Sequence, residues 1–245
     1  METVPVIAVF DIGKTNKKLF LLDENYRIVY EKSERLEETT DEGSFPCEDL
    51  EKLNIFILDS LNEIRALVEF SVRAVNFSAY GASFVYLDSN GKPLAPLYNY
   101  LKPYPEQLSD ELYRRYGGAD RFASETASPA LGSLNSGLQL YRIRKEKPGL
   151  FGRIKYALHL PQYLSFLLTG QFYSDITSIG CHTALWDFER NSYHKWVNNE
   201  GIIQKLAPIL PCNRVFDVTF KGKTAKIGTG LHDSSAALIP YLFSF

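Results

Sequence analysis

The residues best suited to chemistry in this chain lie in a short polar turn near its beginning. The turn contains an aspartate, a glycine, a threonine and three lysines: Asp11, Gly13, Lys14, Thr15, Lys17 and Lys18. Gly13 has no Cβ to keep a ligand away from the backbone, and hydroxyl and ammonium groups can bind phosphate oxygens. An acidic side chain beside this turn, Asp11, suits a hydrated Mg²⁺ and the phosphates that it bridges. The alternative is an ordinary hairpin whose basic turn is solvated.

A second carboxylate, Asp233, lies in the segment GTGLHDSSAA at residues 228–237. A predicted strand runs from Ala225 into the glycines, and a helix follows, so Asp233 would stand at the helix N-terminus. There the helix dipole and the free N–H groups stabilise an anion. The alternative is that Asp233 or Ser234 only caps the helix.

The elements around the first turn are predicted to be strands and one helix. Residues 6–23 indicate a strand, a tight turn and a second strand, because residues 6–10 form a continuous apolar run that Asp11 ends. Residues 27–32 predict a third strand. Pro46 is expected to open a helix. The apolar stripe of that helix has spacings of 3, 4, 4, 3 and 4 and consists of Leu50, Leu53, Ile57, Leu61, Ile64 and Val68.

The next strand, residues 72–77, leads into a small, polar and aromatic segment. Residues 78–83 would therefore follow the end of this strand, and ligands of α/β sheets bind at such strand ends. Further on, Asn90-Gly91 predicts a reversal between strands at residues 84–87 and 94–100.

The rest of the chain is predicted to be mainly helical until a final hairpin. Helices are expected at residues 108–116, 136–146, 150–168 and 187–199. The last of these would lie on the surface with Trp196 in the core. A strand at residues 215–220 and a turn at residues 221–223 precede the segment that carries Asp233. No internal repeat and no linker rich in Gly, Pro or Ser marks a boundary between independent domains.

The composition limits the class of protein. A chain of 245 residues with 45% hydrophobic content can bury a full core as one large domain or two small ones. A net charge of -2 and a pI near 6.1 give no electrostatic reason to expect nucleic acid or an anionic membrane as partner. No apolar run approaches the roughly 20 residues that span a bilayer, and Met1-Glu2-Thr3 leads into the first strand without a signal-peptide core. We therefore expect a cytoplasmic protein.

The cysteines and most of the histidines carry no recognisable pattern. The three cysteines are far apart and lack CxxC or His-pairing spacing, so they predict neither a disulfide framework nor a zinc site, and each is expected to be a small buried thiol: Cys47, Cys181 and Cys212. Three histidines are expected to be structural or exposed, because no carboxylate partner or ligand spacing points to them: His159, His182 and His194.

The order of the two acidic motifs resembles that of the FGGY carbohydrate kinases. The N-terminal motif of that family is Asp-x-Gly-Thr-Thr/Ser-x-x-Arg/Lys. It is matched by Asp11, Gly13, Thr15 and Lys18, while Lys14 replaces the first Thr. The catalytic base of the family is an Asp in a Gly-rich segment followed by small residues, which corresponds to Asp233. The pair formed with the preceding histidine is most similar to the rhamnulokinase branch.

Three further stretches carry the same resemblance. TASPALGSLNSGLQLYRIRKEKPGLF, with Asn135 and Gln139, is similar to the rhamnulokinase pattern rather than to xylulokinase. HLPQYLSFLLTGQFYSDITSIG contains Leu-Thr-Gly and Asp175, which match the family. SAYGASFVYLDSNGKPLAPLYNY resembles the sugar-facing loop, hairpin and aromatic-Asn segment. The Asp and Arg that usually follow that Asn are Tyr100 and Lys102, and Ser83 stands where rhamnulokinases carry an Asp, so the sugar is left open.

The resemblance implies an α/β fold, the actin-like (ribonuclease-H-like) N-terminal, sugar-binding lobe of a longer kinase. This lobe would span residues 1–245, and a C-terminal nucleotide-binding lobe would follow Phe245 and be its partner. The implied reaction is phosphoryl transfer from MgATP to a hydroxyl of a ketose or deoxyketose, and the isolated lobe would not turn over. A homodimer is left open, and neither nucleic acid nor a membrane is expected as partner.

The same resemblance implies a role for each matching residue. Asp233 would be the catalytic base, and Asp11 and Asp233 would hold Mg²⁺. ATP phosphates would meet the residues of the first turn, Asp11, Gly13, Lys14, Thr15 and Lys18. The sugar would meet residues from four segments, Tyr80, Gly81, Ser83, Asn135, Gln139, His232 and Asp233. His232 could instead orient Asp233, and Tyr80 and Asn135 could be core or turn residues.

Two other kinds of function remain open at this point. One is a catalytically inactive member of the family that acts as a sugar-sensing or interaction module, which the altered positions Lys14, Ser83, Tyr100 and Lys102 allow. The presence of both Asp11 and Asp233 favours the enzyme. The other is an actin-like phosphotransferase or ATPase that acts on an acid or a protein. The Leu-Thr-Gly and Asp175 segment favours a sugar kinase instead.

Overall fold

The computed structural model describes residues 3–220 and 222–242. Its strands are β1 (Val4–Ile12), β2 (Lys17–Leu22), β3 (Ile28–Glu34), β4 (Thr39–Thr40), β5 (Pro46–Cys47), β6 (Phe70–Ala79), β7 (Phe84–Leu87), β8 (Tyr156–His159), β9 (Ser174–Asp175), β10 (Trp186–Asp187), β11 (Ser192–Tyr193), β12 (Ile209–Leu210), β13 (Val215–Phe220), β14 (Lys223–Gly228) and β15 (Leu231–His232). Its α-helices are α1 (Leu50–Ala66), α2 (Glu106–Arg115), α3 (Ala119–Thr126), α4 (Ser136–Glu146), α5 (Pro148–Arg153), α6 (Leu160–Thr169), α7 (Ile176–Ile179), α8 (Lys195–Asn199) and α9 (Asp233–Leu242). Short 3-10 helices span Gly132–Leu134 and Ile202–Lys205.

The main sheet has the strand order β13-β14-β6-β1-β2-β3, with β15 also paired to β6. The first three strands form the predicted antiparallel meander. β6 then pairs parallel to β1, and β14 and β15 pair parallel to β6. β1, β6 and β15 therefore run in the same direction, and their carboxyl ends lie at the same end of the sheet. This places the ends of β1, β6 and β15 side by side.

One face of this sheet is the main core. Alternate residues of β1 point into it, since Val6, Ala8, Phe10 and Ile12 are buried and the residues between them are only half-buried. The continuous apolar run of residues 6–10 therefore has one face in the core and one that is only half-buried. Each fully buried side chain of this kind contributes about 1.5 to 3 kcal/mol. Phe10 stacks on Phe77 of β6, with 5.4 Å between the ring centroids.

Helix α1 covers the core face, and its inward stripe was largely predicted. Leu53, Ile57, Leu61 and Ile64 are buried as expected. Pro46 does not open the helix, because it belongs to β5. The cap is Asp49, whose side chain accepts hydrogen bonds from the backbone N–H groups of Glu51 and Lys52, both at 3.1 Å.

Of the predictions for the segments after α1, the reversal at Asn90-Gly91 is confirmed, whereas the position of Val68 and the strand at residues 94–100 are not. Val68 lies beyond the end of α1 and is 83% exposed, so it is not part of the stripe. The reversal at Asn90-Gly91 is confirmed, with Gly91 at φ +78°. Residues 94–100 form no regular strand, because only isolated bridges pair them, Leu87 with Pro93 and Glu48 with Leu97.

The predicted helical stretch at residues 150–168 is confirmed at both ends and wrong in the middle, at residues 154–159. The structure has α5, then strand β8, then α6 in this stretch. β8 pairs antiparallel with β7, with Phe84 opposite His159, and this pairing buries residues 157–159. Tertiary pairing therefore overrides the helical pattern. Pro161 in the first turn of α6 marks a new helix start that the sequence already contained.

The predicted surface helix at residues 187–199 was also mostly wrong. A small hairpin, β10 with β11, takes its first part, and only the short helix α8 follows. Trp196 is buried in a second hydrophobic cluster, as predicted, and its Nε1–H donates to the carbonyl oxygen of Ala184 at 2.6 Å. This second cluster fills the helical half, between β7–β8 and helices α2 to α4.

The helices at residues 108–116 and 136–146 and the strand at residues 215–220 are confirmed within a few residues. The expected turn at residues 221–223 includes Lys221, which lies outside the described residues, as do Met1 and Glu2 at the start and Phe245 at the end. Within the described part, no helix has the length and apolar character to cross a membrane.

Candidate functional site

Parallel pairing brings the two acidic motifs together at the carboxyl ends of β1, β6 and β15. We call this end of the main sheet the sheet edge. Asp11 of β1 is level with Ser78 of β6, and Ser78 is level with Leu231 of β15. Asp233, two residues later, is the first residue of α9. Burial and then the negative charge of Asp233 raise the pKa of the Asp11 carboxyl, which Lys18 partly offsets. The carboxylates predicted from opposite ends of the chain are therefore electrostatic neighbours.

The turn between β1 and β2 is closed by its backbone. The N–H of Gly13 donates to the carbonyl oxygen of Asn16 at 3.0 Å, and a Cβ at Gly13 would lie 3.3 Å from that oxygen. Thr15 is exposed at the tip. Lys18 is paired in register with Asp11 across the two strands, so the ammonium and carboxylate groups share one face. These residues are placed as the phosphate hypothesis requires, and their role stays a prediction.

The other two lysines of the turn are already engaged. Lys14 forms an ion pair with Glu38. Lys17 lies on the core face with Leu19 and Leu21, and its side chain is 1% exposed. Its ammonium group therefore does not face a phosphate at the tip, contrary to the simple view of three lysines in one turn.

The buried ammonium group of Lys17 instead stabilises the turn through hydrogen bonds to its backbone. Its Nζ donates to the carbonyl oxygens of Gly13 at 3.0 Å and Lys14 at 3.2 Å, and to Oε2 of Glu48 at 2.8 Å. The hydroxyl of Tyr80 donates to the same Glu48 oxygen at 3.3 Å. Burial, and then the charge of Glu48, raise the pKa of Tyr80 well above its usual value, so the phenol stays a donor. One buried acid thus connects the turn with the end of β6.

Asp233 keeps an accessible carboxylate. Its side chain is 38% exposed, and Oδ1 accepts the N–H of Ser234 at 2.6 Å. An N-cap precedes the first helical residue and accepts from a residue two or three positions on. His232 fits that description, since its Nδ1 accepts the N–H of Ser234 at 3.2 Å. The N–H of Ser234 is therefore shared between Asp233 and His232, and a role for Asp233 beyond capping stays a prediction.

His232 is buried, and its position is fixed by neighbouring segments. Gly81 allows its close approach, because a Cβ there would lie 1.8 Å from Cδ2 of the imidazole. The backbone N–H of His232 donates to the hydroxyl of Thr177 at 3.1 Å, and Thr177 is held in turn by the buried carboxylate of Asp175. Burial lowers the pKa of His232 to about 4, although Asp233 acts in the opposite direction. The imidazole beside Asp233 is therefore neutral near pH 7.

Three of the other predicted sugar residues are bonded to the protein itself. Ser83 donates to the carbonyl oxygen of Tyr98 at 2.7 Å. Asn135 donates to the carbonyl oxygen of His182 at 2.7 Å and accepts from the N–H of Leu131 at 2.9 Å. Gln139 donates to the carbonyl oxygens of Ala82 and Ser133, and its buried Oε1 has no partner among the described residues. These side chains shape the loops next to the site, and their contact with a sugar remains a prediction.

A pocket lined in part by Gln139 lies beside α4. It has a volume of about 230 Å³ and is lined by the charged side chains Glu42, Lys102, Arg142, Glu146 and Lys147, among others. Neither Asp11 nor Asp233 lines it. Its cations are already paired, Lys102 with Asp41, Arg142 with Glu146 and Lys147 with Glu42. We therefore assign the chemistry to the sheet edge rather than to this pocket.

The sequence missed a cluster of possible metal ligands beside His232. Cys181, His182 and His232 each bring one donor atom within 4.8 Å of the others. The fold thus supplies a spacing between His182 and two other possible ligands that the linear sequence lacks, while the expected structural role of His182 stays a prediction. Adjacent Cys181 and His182 were the one signal in the sequence.

The remaining cysteines and histidines are mainly structural. The three thiols are free, and Cys47 is buried as predicted, whereas Cys212 is exposed and Cys181 only half-buried. His159 is buried, with Nε2 2.9 Å from the hydroxyl of Ser136. His194 has the carboxylate partner that the sequence did not reveal, since its Nε2 lies 2.7 Å from Oε2 of Glu125.

Comparison with known proteins identifies the family of this chain. The FGGY family of carbohydrate kinases, N-terminal domain, matches residues 6–239, and the chain belongs to this family. It is 28% identical over 187 residues to a rhamnulokinase from Halalkalibacterium halodurans, covering 72% of this chain and 39% of that protein. It is 24% identical over 208 residues to an L-fuculokinase from Escherichia coli, covering 84% and 44%. The predicted family is confirmed, and the rhamnulokinase relatives support the predicted branch.

Solved structures confirm the predicted fold. A carbohydrate kinase from Novosphingobium aromaticivorans aligns with a TM-score of 0.84 and 25% identity over 97% of this chain and 51% of that one. A xylulose kinase from Lactobacillus acidophilus aligns with a TM-score of 0.82 and 17% identity over 96% and 50%. The α/β, actin-like architecture is thus that of the sugar kinases. The chain spans about two fifths of the length of the relatives and about half of these structures.

Proposed function

We propose that this chain is the sugar-binding lobe of an ATP-dependent carbohydrate kinase that phosphorylates a hydroxyl of a ketose or deoxyketose. The observation that carries the proposal is the strand register that places Asp11 and Asp233 at one sheet edge, close enough for one charge to raise the pKa of the other carboxyl. Phosphoryl transfer needs positioning, charge neutralisation and a base more than it needs covalent chemistry. This edge offers residues for each of those tasks.

The residues at the edge fit magnesium and nucleotide phosphates. Mg²⁺ prefers oxygen ligands and keeps several waters, and two neighbouring carboxylates, Asp11 and Asp233, provide such ligands. The ammonium of Lys18, the exposed hydroxyl of Thr15 and the open backbone at Gly13 suit phosphate oxygens. When bound, MgATP supplies the phosphoryl group and the charge that screens it. Lys14, paired with Glu38, would have to exchange that partner to reach a phosphate.

Asp233 is the group that we assign as base. Its Oδ1 is oriented by the N–H of Ser234, and the half-exposed carboxylate can accept the proton of a sugar hydroxyl. The imidazole of His232 is neutral near pH 7, so it places no positive charge beside the carboxylate of Asp233. Asp175 acts at a distance, because it holds Thr177 and thereby the backbone of His232. It is a positioning residue.

The remainder of the nucleotide site is proposed to lie in a C-terminal lobe. Helix α9 has no buried residues, and several of its large apolar side chains are exposed: Leu238, Ile239, Tyr241 and Leu242. The chain covers 39% and 51% of two related proteins, which supports a second lobe of similar size. The exposed apolar side chains of α9 are the surface on which we propose that this lobe packs. We also propose that the whole kinase acts in the cytoplasm, where MgATP is present, and a homodimer remains to be measured.

An inactive sugar-sensing module is the second candidate. It is favoured by Ser83, which stands where the resembled branch has an Asp and whose hydroxyl is used by the carbonyl of Tyr98. The two candidates differ in turnover. With the full-length protein, a panel of ketoses, deoxyketoses, polyols and aldoses should give sugar-dependent ADP release for a ketose. Preference for a polyol would overturn the substrate class, and sugar binding without any turnover would establish the sensing module instead.

The chain by itself should fold and should not release ADP with any sugar, because half of the nucleotide site would be missing. A coupled assay on the purified chain tests this point. Substantial sugar-dependent turnover would contradict the two-lobe proposal while leaving the family assignment intact.

A further inference from the structure

The three side chains Cys181, His182 and His232 form a ligand set that differs in kind from the one proposed for magnesium. Their donor atoms, one sulfur and two imidazole nitrogens, all lie within 4.8 Å of one another. Thiolate and imidazole suit Zn²⁺, whereas Mg²⁺ prefers oxygen. The set would therefore select a different ion from the one that accompanies ATP.

Separate elements hold the three residues in place. Cys181 and His182 follow α7 in a tight turn, with the N–H of Cys181 bonded to the carbonyl oxygen of Ser178 at 3.2 Å. His182 adopts a left-handed conformation with φ +44°, and Asn135 binds its carbonyl oxygen. A non-glycine residue in this conformation persists only when its surroundings fix it. The turn is thus shaped to present adjacent side chains toward β15.

One of the two imidazoles, that of His182, has unused capacity for a ligand. Nδ1 of His182 is buried and has no hydrogen-bond partner among the described residues, which is costly for a polar atom. The ring of His182 meets that of His232 edge to face, with 5.7 Å between centroids. A metal ion between the rings would satisfy the nitrogen that the protein leaves unpaired.

We propose that Cys181, His182 and His232 bind a zinc ion next to Asp233. Donors around tetrahedral zinc lie about 3.3 to 3.7 Å apart, given bond lengths near 2.0 to 2.3 Å. The side chains would therefore have to close by roughly 1 Å, within the reach of small rotations. Binding displaces the thiol proton of Cys181 to solvent and leaves the fourth position to water or to the carboxylate of Asp233. Oδ1 of Asp233 is 3.5 Å from Nδ1 of His232.

Occupancy of this site would inhibit the kinase, a consequence that rests on the proposed function. An ion held by His232 places two positive charges beside the base and lowers its affinity for a proton. The binding site itself requires no kinase activity.

Metal binding can be measured directly on this chain. One equivalent of Zn²⁺ should bind in equilibrium dialysis, and Co²⁺ should give the thiolate charge-transfer band and visible bands of a tetrahedral site. Cys181→Ser and His182→Gln should each weaken zinc binding at least about tenfold, the scale that even indirect disturbance of a metal ligand produces. Cys212→Ser and Cys47→Ser are the matched thiol controls and should bind as the unchanged chain does.

A second measurement avoids reliance on the folding of variants. Alkylation of each thiol in the unchanged chain, followed by peptide mass spectrometry, should be slowed by Zn²⁺ at Cys181 and not at the exposed Cys212. Absence of zinc binding, or binding that neither protects Cys181 nor depends on it, would overturn the site. In the full-length protein, zinc bound at this site without loss of sugar phosphorylation would refute the inhibitory role. Failure to phosphorylate any sugar would count against the proposed function and leave the zinc site standing.

Discussion

The two ends of the candidate site are built in opposite ways. The N-terminal turn rests on a buried ion pair, in which Lys17 and Glu48 have side chains 1% and 3% exposed, and on backbone hydrogen bonds. The C-terminal end, at Asp233, begins a helix without buried residues and keeps its carboxylate in reach of solvent. The first end is held by buried contacts within the chain, and the second is accessible, as the proposed binding of a substrate and a second lobe would require. A phosphate-binding turn gains from preorganisation, whereas a base must remain accessible to the proton it accepts.

The largest effect is expected at the N-terminal end of the site. Lys17→Met should destabilise the chain by about 3 to 5 kcal/mol, because it leaves the buried charge of Glu48 without a partner. Urea unfolding followed by circular dichroism measures this change. Lys18→Met is the matched control, since Lys18 is partly exposed and 3.8 Å from Glu31, and it should cost less than about 1 kcal/mol. Equal costs for the two lysines would mean that the buried pair does not fix the turn.

The second prediction concerns the C-terminal end of the site. In the full-length protein, Asp233→Asn should keep the fold and most of the sugar affinity and lower kcat by at least about 10²-fold, the scale for loss of a positioned base. Asp11→Ala should instead alter the dependence of the rate on Mg²⁺. Steady-state kinetics at varied sugar and Mg²⁺ separate the two. A kcat near that of the unchanged enzyme in Asp233→Asn would require another base.

A third prediction concerns an acid–base pair outside the candidate site, the half-buried Glu125 and the buried His194. Hydrogen bonds from His194 and then Arg121 lower the pKa of Glu125 to about 2, while burial lowers that of His194. The folded protein therefore binds fewer protons than the unfolded chain at both groups. The stabilisation from Glu125 is complete above its unfolded pKa of about 4.5 and is lost as the pH falls toward 2.

Between pH 5 and pH 3 this group should account for at most about 2 kcal/mol of lost stability, because solvent screens the part of the interaction that involves the exposed Arg121. Denaturant unfolding of Glu125→Gln over that range should show a correspondingly smaller loss than the unchanged chain. Glu51→Gln, at an exposed position of α1, is the control. A pH dependence unchanged by Glu125→Gln would show that the carboxylate is not engaged with His194 in solution.

The smallest effect is expected on α9. Leu242→Ser should change the stability of this chain by less than about 0.5 kcal/mol, because the side chain is exposed. In the full-length protein the same substitution should be clearly destabilising if the second lobe covers the helix. Thermal unfolding of both forms tests the contrast. Equal and negligible effects in both would leave α9 without its proposed partner.

The sequence predicted the parts of the molecule that local patterns or family motifs encode. Asp11 and Asp233 were found from their motifs, and the inward stripe of α1 from its spacing. The core position of Lys17 was also readable, since alternation along β2 places it with Leu19 and Leu21. The signal was a lysine, Lys17, at a position of β2 whose equivalents along the strand are apolar and buried.

Other features depend on contacts between distant segments and could not be predicted in the same way. β8 is a strand because β7 lies beside it, and no local pattern distinguishes it from the helices around it. Glu48 and His232 gain their roles from partners far along the chain, Lys17 and Thr177. The grouping of Cys181 with His232 likewise exists only after β15 has paired with β6.

The strand order of the sheet also has a consequence for synthesis at the ribosome. β1 and β6 can pair as soon as both have emerged, but one side of β6 then stays unpaired until β14 and β15 have been synthesised much later. During translation that side exposes unpaired backbone groups to any strand nearby. The segment that closes this side is the same one that delivers Asp233. The nascent protein is therefore protected from misassociation only at the moment when its proposed base comes into position.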